Sequence, residues 1–219
     1  MAGCCSAKSY ERMFGARQAR RDARGYRRRG VRGTARDLVE LAGDVSGASV
    51  LEVGGGVGAI ELELLAAGAE RATDVELSGE YEEEAQKLLA ERGLSDRVER
   101  RVGDFVSEAV EPHDVVVMHR VVCCYPDVDA LVGAAAGRAH RRMVLTYPQE
   151  RWLTRAAFGG INVFMRLTRS DFRAFVHPVT RVTAAARGAG LELGERRRRG
   201  ILWESAAYER LPAGAAGTI

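Results

Sequence analysis

The sequence contains no run of apolar residues long enough to cross a membrane, although 46% of its 219 residues are hydrophobic. A transmembrane helix needs about 20 consecutive apolar residues, and charged residues follow the first few positions, so a secretory signal is not expected either. The four cysteines lie in two adjacent pairs, Cys4-Cys5 and Cys123-Cys124. Because this spacing fits neither a zinc site nor a secreted disulfide framework, we expect a cytoplasmic protein with free thiols and no metal site.

Lysine is nearly absent, since only Lys8 and Lys87 occur among the 33 lysine and arginine residues. The net charge of +3 is small, but it is unevenly spread, because arginines concentrate in residues 8–36 and recur at 196–199. A GC-rich genome would produce such a bias without any function. The functional interpretation is a surface that attracts the carboxylates or phosphates of an anionic partner.

Short buried strands alternate with helices along the chain, and this pattern predicts an α/β fold with a parallel sheet covered by helices on both faces. We place strands at residues 50–53, 71–76, 98–102, 115–118 and 143–147. Residues 191–197 and 201–208 lie too close together for a helical crossover, so they should pair as an antiparallel hairpin. These segments together make seven strands.

One domain is expected, because 219 residues suffice for one well-packed core and hardly for two. An arginine-rich helix over about residues 8–29, and a second one beginning near Thr34, should form an N-terminal helical cap at residues 1–45. Residues 46–211 should form the main domain, with a helical lid inserted at about 150–176, and residues 212–219 a flexible tail. Ser78 is predicted to cap the helix that follows the second strand.

A glycine-rich turn, Gly54-Gly55-Gly56-Val57-Gly58, joins the first strand to a helix. Such a turn lets a ligand lie directly against the backbone. Gly54, Gly56 and Ala59 also fit the dinucleotide fingerprint, and Glu76 lies about 20 residues beyond, as that motif requires. An NAD-dependent oxidoreductase is therefore one alternative.

Acidic residues around this turn favour a different ligand. Glu52 lies inside an apolar strand, where a carboxylate is costly to bury unless a cation or a hydrogen bond satisfies it, and it would repel a pyrophosphate. Glu76, at the end of the second strand, is placed to accept hydrogen bonds from ribose hydroxyls. Asp104 can accept one from an adenine amino group, and Phe105 can cover the ring. These residues predict a nucleoside with a positively charged amino-acid arm.

Residues from about 48 to 126 resemble the class I S-adenosylmethionine-dependent methyltransferases. The E-x-G-x-G-x-G motif begins at Glu52, residues 72–78 are similar to the second-strand motif, which usually has aspartate where this chain has Glu76, and residues 102–105 match the third motif. The resemblance implies S-adenosylmethionine as cofactor and a Rossmann-like sheet of seven strands, the last of them antiparallel. The predicted cofactor-binding residues are Glu52, Gly54, Gly56, Gly58, Glu76, Leu77, Gly103, Asp104, Phe105 and His119.

Three residues are candidates for catalysis, because the acceptor should lie above the carboxyl ends of the strands. His119 directly follows the fourth strand and would contact the cofactor or act as a base; packing at the mouth of the cleft is the alternative. Tyr125 lies a few residues further along. His177 precedes Pro178 at a helix start, where a cap or loop contact would also explain it.

A narrower similarity concerns residues 121–126, 145–148 and 175–177, which look like the magnesium-protoporphyrin O-methyltransferases and their relatives. In those enzymes an N-terminal helical cap covers a tetrapyrrole and a propionate is methylated. They tend to have histidine before the Tyr-Pro pair, where this chain has Cys124. The arginine-rich first helix would suit an acidic substrate, so we expect methylation of a small, anionic molecule at a carboxylate or hydroxyl group.

Other functions are compatible with the same sequence. They are a non-catalytic adenosylmethionine-binding protein, an RNA methyltransferase that uses the arginine-rich helix on phosphates, a thiol-mediated metalloid methyltransferase that uses the cysteine pairs, and the oxidoreductase mentioned above. Few aromatic residues are interleaved with the arginines, so nucleic acid is not the expected partner. The sequence does not predict an oligomeric state.

Overall fold

A computed structural model describes residue 10 and residues 13–210 of the chain. Its centre is a seven-stranded sheet with the strand order β3-β2-β1-β4-β5-β7-β6. Strands β1 to β5 pair in parallel, whereas β7 is antiparallel to both of its neighbours. The predicted Rossmann-like α/β fold is thus confirmed. The strands are β1 (Ser49–Val53), β2 (Arg71–Glu76), β3 (Val98–Val102), β4 (His113–Met118), β5 (Ala139–Pro148), β6 (Leu191–Arg199) and β7 (Trp203–Arg210).

Helices flank the sheet on both sides. Single turns of 3-10 helix lie at Gly79–Tyr81, Ser95–Arg97 and Val122–Cys124. Between α6 and α7, residues 168–178 form neither helix nor strand. The α-helices are α1 (Ala16–Arg29), α2 (Thr34–Leu41), α3 (Ala59–Ala66), α4 (Glu82–Arg92), α5 (Val128–Gly137), α6 (Trp152–Leu167) and α7 (Val179–Gly188).

The core lies on the two faces of the sheet, because successive side chains of a strand point to opposite sides. Val50 of β1 belongs to a buried cluster that includes Leu38 of α2 and Leu64 of α3. Its neighbour Leu51 belongs to the cluster on the other face, which includes Leu131 of α5. Burial on both faces explains why the central strands appear in the sequence as continuous apolar runs.

Several predicted boundaries and one predicted contact are wrong. The helix expected over residues 8–29 is interrupted at Phe14 and at the extended Gly15, and α1 begins only after them. Ser78 precedes the next helical turn, but its hydroxyl makes no cap and instead donates to the Phe14 carbonyl at 2.8 Å. Strands β4 and β5 begin earlier than expected, at His113 and Ala139, since pairing with neighbouring strands extends them into polar sequence. The predicted tail, residues 212–219, lies outside the described residues.

Within the part of the chain that the structure describes, no helix combines the length and the apolar composition that spanning a bilayer requires.

Candidate functional site

A cavity of about 660 Å³ opens at the carboxyl ends of β1, β2, β3 and β4. Its floor consists of the residues that follow these strands, and α1 forms the opposite wall through residues such as Asp22 and Tyr26. The strand order reverses between β1 and β4, and α/β folds bind ligands at such a switch point. The fold thus places the cavity where a ligand is expected.

The turn after β1 requires glycine at two positions that line the cavity. Gly54 and Gly56 have φ values of +68° and +59°, a region that side chains rarely adopt. A Cβ atom on Gly54 would lie 2.6 Å from Cγ2 of Val121, and one on Gly56 would lie 3.2 Å from the Tyr81 ring. Gly58 is not among the lining residues; it also has a positive φ, and a Cβ there would collide with the Glu61 carboxylate.

Two carboxylates hold this turn and the helix that follows it by accepting hydrogen bonds from backbone N–H groups. The backbone N–H of Gly56 donates to Oε2 of Glu76 at 2.9 Å, and that of Ser78 donates to Oε1 at the same distance. The N–H of Glu61, in the first turn of α3, donates to Oε2 of Glu52 at 2.7 Å. Glu52 thereby satisfies one of the free N–H groups at the start of a helix, whose dipole favours a negative charge.

A buried charge cluster under the turn was not predicted from the sequence. Glu52, Asp74 and Arg100 are partners in register across β1, β2 and β3. The Arg100 guanidinium forms ion pairs with Asp74 and with Glu61 and donates to the Gly56 carbonyl at 2.9 Å. Arg100 lies within the predicted third strand, and its charge there was a sign of a buried ion pair. Its partners lie on other elements, so the sequence did not identify them.

Burial perturbs the acids of this cluster. It raises the pKa of Glu52 well above its ordinary value, and the neighbouring Asp74 carboxylate raises it further. The same two causes, in the same order, raise the pKa of Glu61. Burial also raises the pKa of Asp74 to about 7, although Arg100 opposes the shift. These groups therefore hold protons at pH values where exposed carboxyls are ionised.

Nine of the ten predicted cofactor-binding residues line the cavity, and Gly58 is the exception. Glu52 and Glu76 are nearly buried, and Oε1 of Glu52 makes no hydrogen bond with the residues described. Phe105 is buried beneath the Arg138 guanidinium, whose Cζ is 5.0 Å from the ring centroid. The structure therefore brings together Glu52, Gly54, Gly56, Glu76, Leu77, Gly103, Asp104, Phe105 and His119.

Tyr125 lies on the Asp104 side of the cavity. Its hydroxyl donates to the two carboxylate oxygens of Asp104 at 3.2 and 3.3 Å. Burial, and then the Asp104 charge, raise the pKa of Tyr125 to about 12. The phenol is therefore protonated at neutral pH and acts there as a hydrogen-bond donor.

His119 is joined to Thr34, the first residue of α2. Its Nε2 lies 2.9 Å from the Thr34 hydroxyl, which also accepts a hydrogen bond from Arg120 at 3.3 Å. Since the guanidinium can only donate, the hydroxyl proton is available to Nε2, and this favours the tautomer with its proton on Nδ1. Burial, and then Arg120, lower the pKa of His119 to about 3, so the ring is neutral at pH 7.

His177 is not among the residues that line the cavity. Its Nε2 lies 2.9 Å from the carbonyl oxygen of Tyr125, and its ring stacks on Phe175 with centroids 5.4 Å apart. This placement links the segment before α7 to the loop after β4. We propose a positioning role for His177, because its ring does not reach the cavity.

The wall formed by α1 contributes Asp22, which the sequence did not single out, and arginines of the N-terminal arginine-rich region, which was expected to suit an acidic substrate. Asp22 accepts a hydrogen bond from the Tyr81 hydroxyl at 3.2 Å. Arg21, Arg29 and Arg32 also line the cavity, and none of them forms an ion pair with any of the described residues. Other arginines do have carboxylate partners; Arg27, for example, pairs with Glu84 and Glu91. The unpaired arginines at the cavity are therefore free to bind an anion.

Cys124, one of the two adjacent cysteines after β4, lines the same cavity. The sulfurs of Cys123 and Cys124 are 3.5 Å apart, and both thiols donate to the carbonyl of Arg120, a residue held at a φ of +60°. Cys4 and Cys5 lie outside the described residues, and no group of three metal ligands occurs among those described. Two thiols in this arrangement do not by themselves make a metal centre.

Several solved structures that share this fold are methyltransferases. Magnesium protoporphyrin IX methyltransferase from Synechocystis, with bound S-adenosylhomocysteine, is 19% identical, with a TM-score of 0.65 over 93% of each chain. Geranyl diphosphate C-methyltransferase from Streptomyces coelicolor is 14% identical, with a TM-score of 0.65 over 81% of this chain and 78% of that one. An O-methyltransferase family 2 protein from Planctomyces limnophilus, in complex with apigenin, is 17% identical, with a TM-score of 0.66 over 88% and 62%.

The sequence itself matches no protein-family model and no curated protein. The structural likeness, at identities below one fifth, establishes the fold: the chain has the architecture of the class I methyltransferases.

Proposed function

We propose that the protein is an S-adenosylmethionine-dependent methyltransferase that acts on a small anionic molecule. One observation carries the proposal. The carboxylates of Glu52, Glu76 and Asp104, which lie near the carboxyl ends of three neighbouring strands, line one cavity beside a turn that requires glycine. These carboxylates would repel a pyrophosphate. They would instead offer partners to the ammonium group at one end of S-adenosylmethionine and to the ribose and adenine at the other.

Each carboxylate has a role suited to its contacts. Glu52 has one oxygen held by α3 and the other without a partner among the described residues, so it can receive an ammonium group. The positive charge of that group would favour the ionised form of this buried carboxyl. Glu76 is oriented by two backbone N–H groups and can still accept from the two ribose hydroxyls. Asp104, held by Tyr125, can accept from the adenine amino group. When bound, S-adenosylmethionine supplies a methyl group on a positively charged sulfur.

The acceptor would occupy the side of the cavity formed by α1. Arg21, Arg29 and Arg32 can bind carboxylates or phosphates through paired hydrogen bonds. Met13 and Phe14 line the same cavity and offer apolar contacts to the rest of the molecule. The combination supports an acceptor with an anionic group and an apolar body.

The titration behaviour of the site favours a carboxylate as the methylated group. His119, with a pKa of about 3, is a weak base, and Tyr125, with a pKa of about 12, is protonated at pH 7. A carboxylate is already ionised at neutral pH and needs no general base. The contribution of the protein would then be alignment of the two reactants, which can be worth roughly 7–11 kcal/mol.

Transfer of a deuterated methyl group tests the proposal. The protein is incubated with S-adenosylmethionine labelled in its methyl group and with a small-molecule extract, and products are identified by their mass shift. We expect the label in acidic small molecules and its loss with the Glu76→Ala variant, while Glu70→Ala, which changes an exposed residue, retains transfer. Label found only in RNA would contradict the proposal, and binding without any transfer would favour a non-catalytic binding protein.

A further inference from the structure

Helix α6 exposes an apolar face to solvent. At 3.6 residues per turn, the exposed apolar residues lie on one side of the helix and cover about half of its circumference. Trp152 lies at one edge of this face and Ile161 at the other. Trp152 is 75% exposed and Leu167 77%, values that are unusual for large apolar side chains. The exposed residues of the face are Trp152, Leu153, Ala156, Ala157, Gly160, Ile161, Val163, Phe164 and Leu167.

The opposite side of α6 is fixed to the protein by a narrow stripe. Phe158 is buried against the Trp203 ring, with centroids 6.1 Å apart. The Asn162 side chain donates to the Ala174 carbonyl and accepts from its N–H, both at 2.8 Å, and the Thr154 hydroxyl donates to the Ile201 carbonyl at 3.0 Å. These contacts set the rotation of the helix, so the apolar face is held outward.

Positive charge borders this face. Residues 151–170 contain no acidic residue and include arginines at both ends of α6. Arg155 pairs with Glu150, whereas Arg151, Arg166 and Arg169 have no ion pair with any other residue in the described part of the chain. Arg155 and Arg166 lie along one edge of the apolar face, where their long side chains can reach a neighbouring charged surface.

An anionic bilayer surface matches both features, and we propose that α6 docks this protein onto membranes that contain anionic lipid. Apolar side chains would enter the boundary between headgroups and acyl chains while the arginines contact phosphates, as in amphipathic helices that lie in the plane of a membrane. At about 24 Å, α6 is shorter than the roughly 30 Å of a bilayer core, so it lies on the surface. A second copy of the chain is a poorer occupant, because pairing two such faces would bring the arginines of both copies together.

Vesicle flotation tests the proposal with the full chain. We expect the protein to float with vesicles of equal parts phosphatidylcholine and phosphatidylserine, and to stay behind with phosphatidylcholine alone or at high salt. Phe164→Ser with Leu167→Ser should weaken the partitioning about tenfold or more. Val102→Ser, which removes an exposed apolar side chain from β3 at the far edge of the sheet, is the matched control and should have no effect.

Tryptophan emission gives a second readout that does not depend on flotation. The chain has two tryptophans, so the Trp203→Phe variant leaves Trp152 as the reporter. Its emission should shift to shorter wavelength with anionic vesicles and stay unchanged with uncharged ones. The proposal would be overturned by equal binding to both vesicle types or by no binding to either. A dimer in which Trp152 is shielded without lipid would also overturn it.

Discussion

Glu61 is completely buried near Arg100, and its Oε2 makes no hydrogen bond with any of the described residues. An unsatisfied buried polar atom costs stability, and a buried charge costs more. Glu61 lies in the first turn of α3, where its backbone N–H serves Glu52. The backbone of this residue thus contributes to the site, whereas its side chain carries an energetic cost.

The Glu61→Gln substitution should make stability less dependent on pH. Because burial raises the pKa of Glu61 above its ordinary value of 4.5, the folded state binds more protons than the unfolded state above that value, and the free energy of unfolding falls as pH rises. The variant lacks this contribution, so denaturation with urea from about pH 5 to pH 8 should show a smaller decline than in the unmodified protein. The exposed Glu70→Gln is the control, and an unchanged decline in Glu61→Gln would refute the account of this residue.

The residues of the site were predictable from the sequence only where a motif fixes their place. Glu52, Glu76 and Asp104 were identified because parallel strands end at the same edge of a sheet, so acids at the ends of strands meet. The ion pair between Asp74 and Arg100 depends on the register of β2 against β3. Register is set by packing of the whole sheet, so this pair could not be predicted from either strand alone.

At the scale of elements, α1 builds one wall of the cavity through a stripe of small residues. Ala19 and Ala23 are fully buried, and Tyr26 packs in the same cluster with Tyr81 and Leu88. The Tyr26 hydroxyl donates to Glu63 of α3 at 2.8 Å. The arginines of α1 can face the cavity only because this stripe lies against the protein.

Enlarging a residue of the stripe should detach α1. Ala23→Leu adds volume to a close-packed position and should reduce the free energy of unfolding by about 1–3 kcal/mol, and it should also weaken binding of adenosylhomocysteine in calorimetric titrations. Arg24→Leu places the same side chain at the exposed neighbouring position and should change neither quantity by more than about 0.5 kcal/mol. Unaltered stability of Ala23→Leu would mean that α1 does not depend on this stripe.

Strands were predicted more accurately than helix ends. The bounds of β2 and β3 agree with those expected from the sequence. The break before α1 was missed because Gly15 adopts an extended conformation, and the contact that follows from it joins Ser78 to the Phe14 carbonyl, far apart in sequence. Such contacts depend on tertiary structure and leave no local pattern.

For the molecule as a whole, the positions of the arginines are more informative about its binding partners than their number is. Some pair with carboxylates on the surface, as Arg181 does with Asp129 and Arg187 with Glu192, and such exposed pairs contribute little stability. The arginines without such partners include those at the cavity and those beside α6. A genome-wide bias would explain the abundance of arginine, whereas the arginines at the cavity and beside α6 are in the positions that an anionic acceptor and an anionic surface would require.

The central claim is that the cavity binds a nucleoside with a cationic amino-acid arm, and thermal unfolding with added ligands tests it most directly. At about 100 times its dissociation constant, adenosylhomocysteine should add roughly 2.7 kcal/mol of stability, whereas NAD and NADP should add none. Glu76→Ala should lose most of this gain, and Glu70→Ala should keep it. Stabilisation by NAD without any response to adenosylmethionine or adenosylhomocysteine would contradict the assignment.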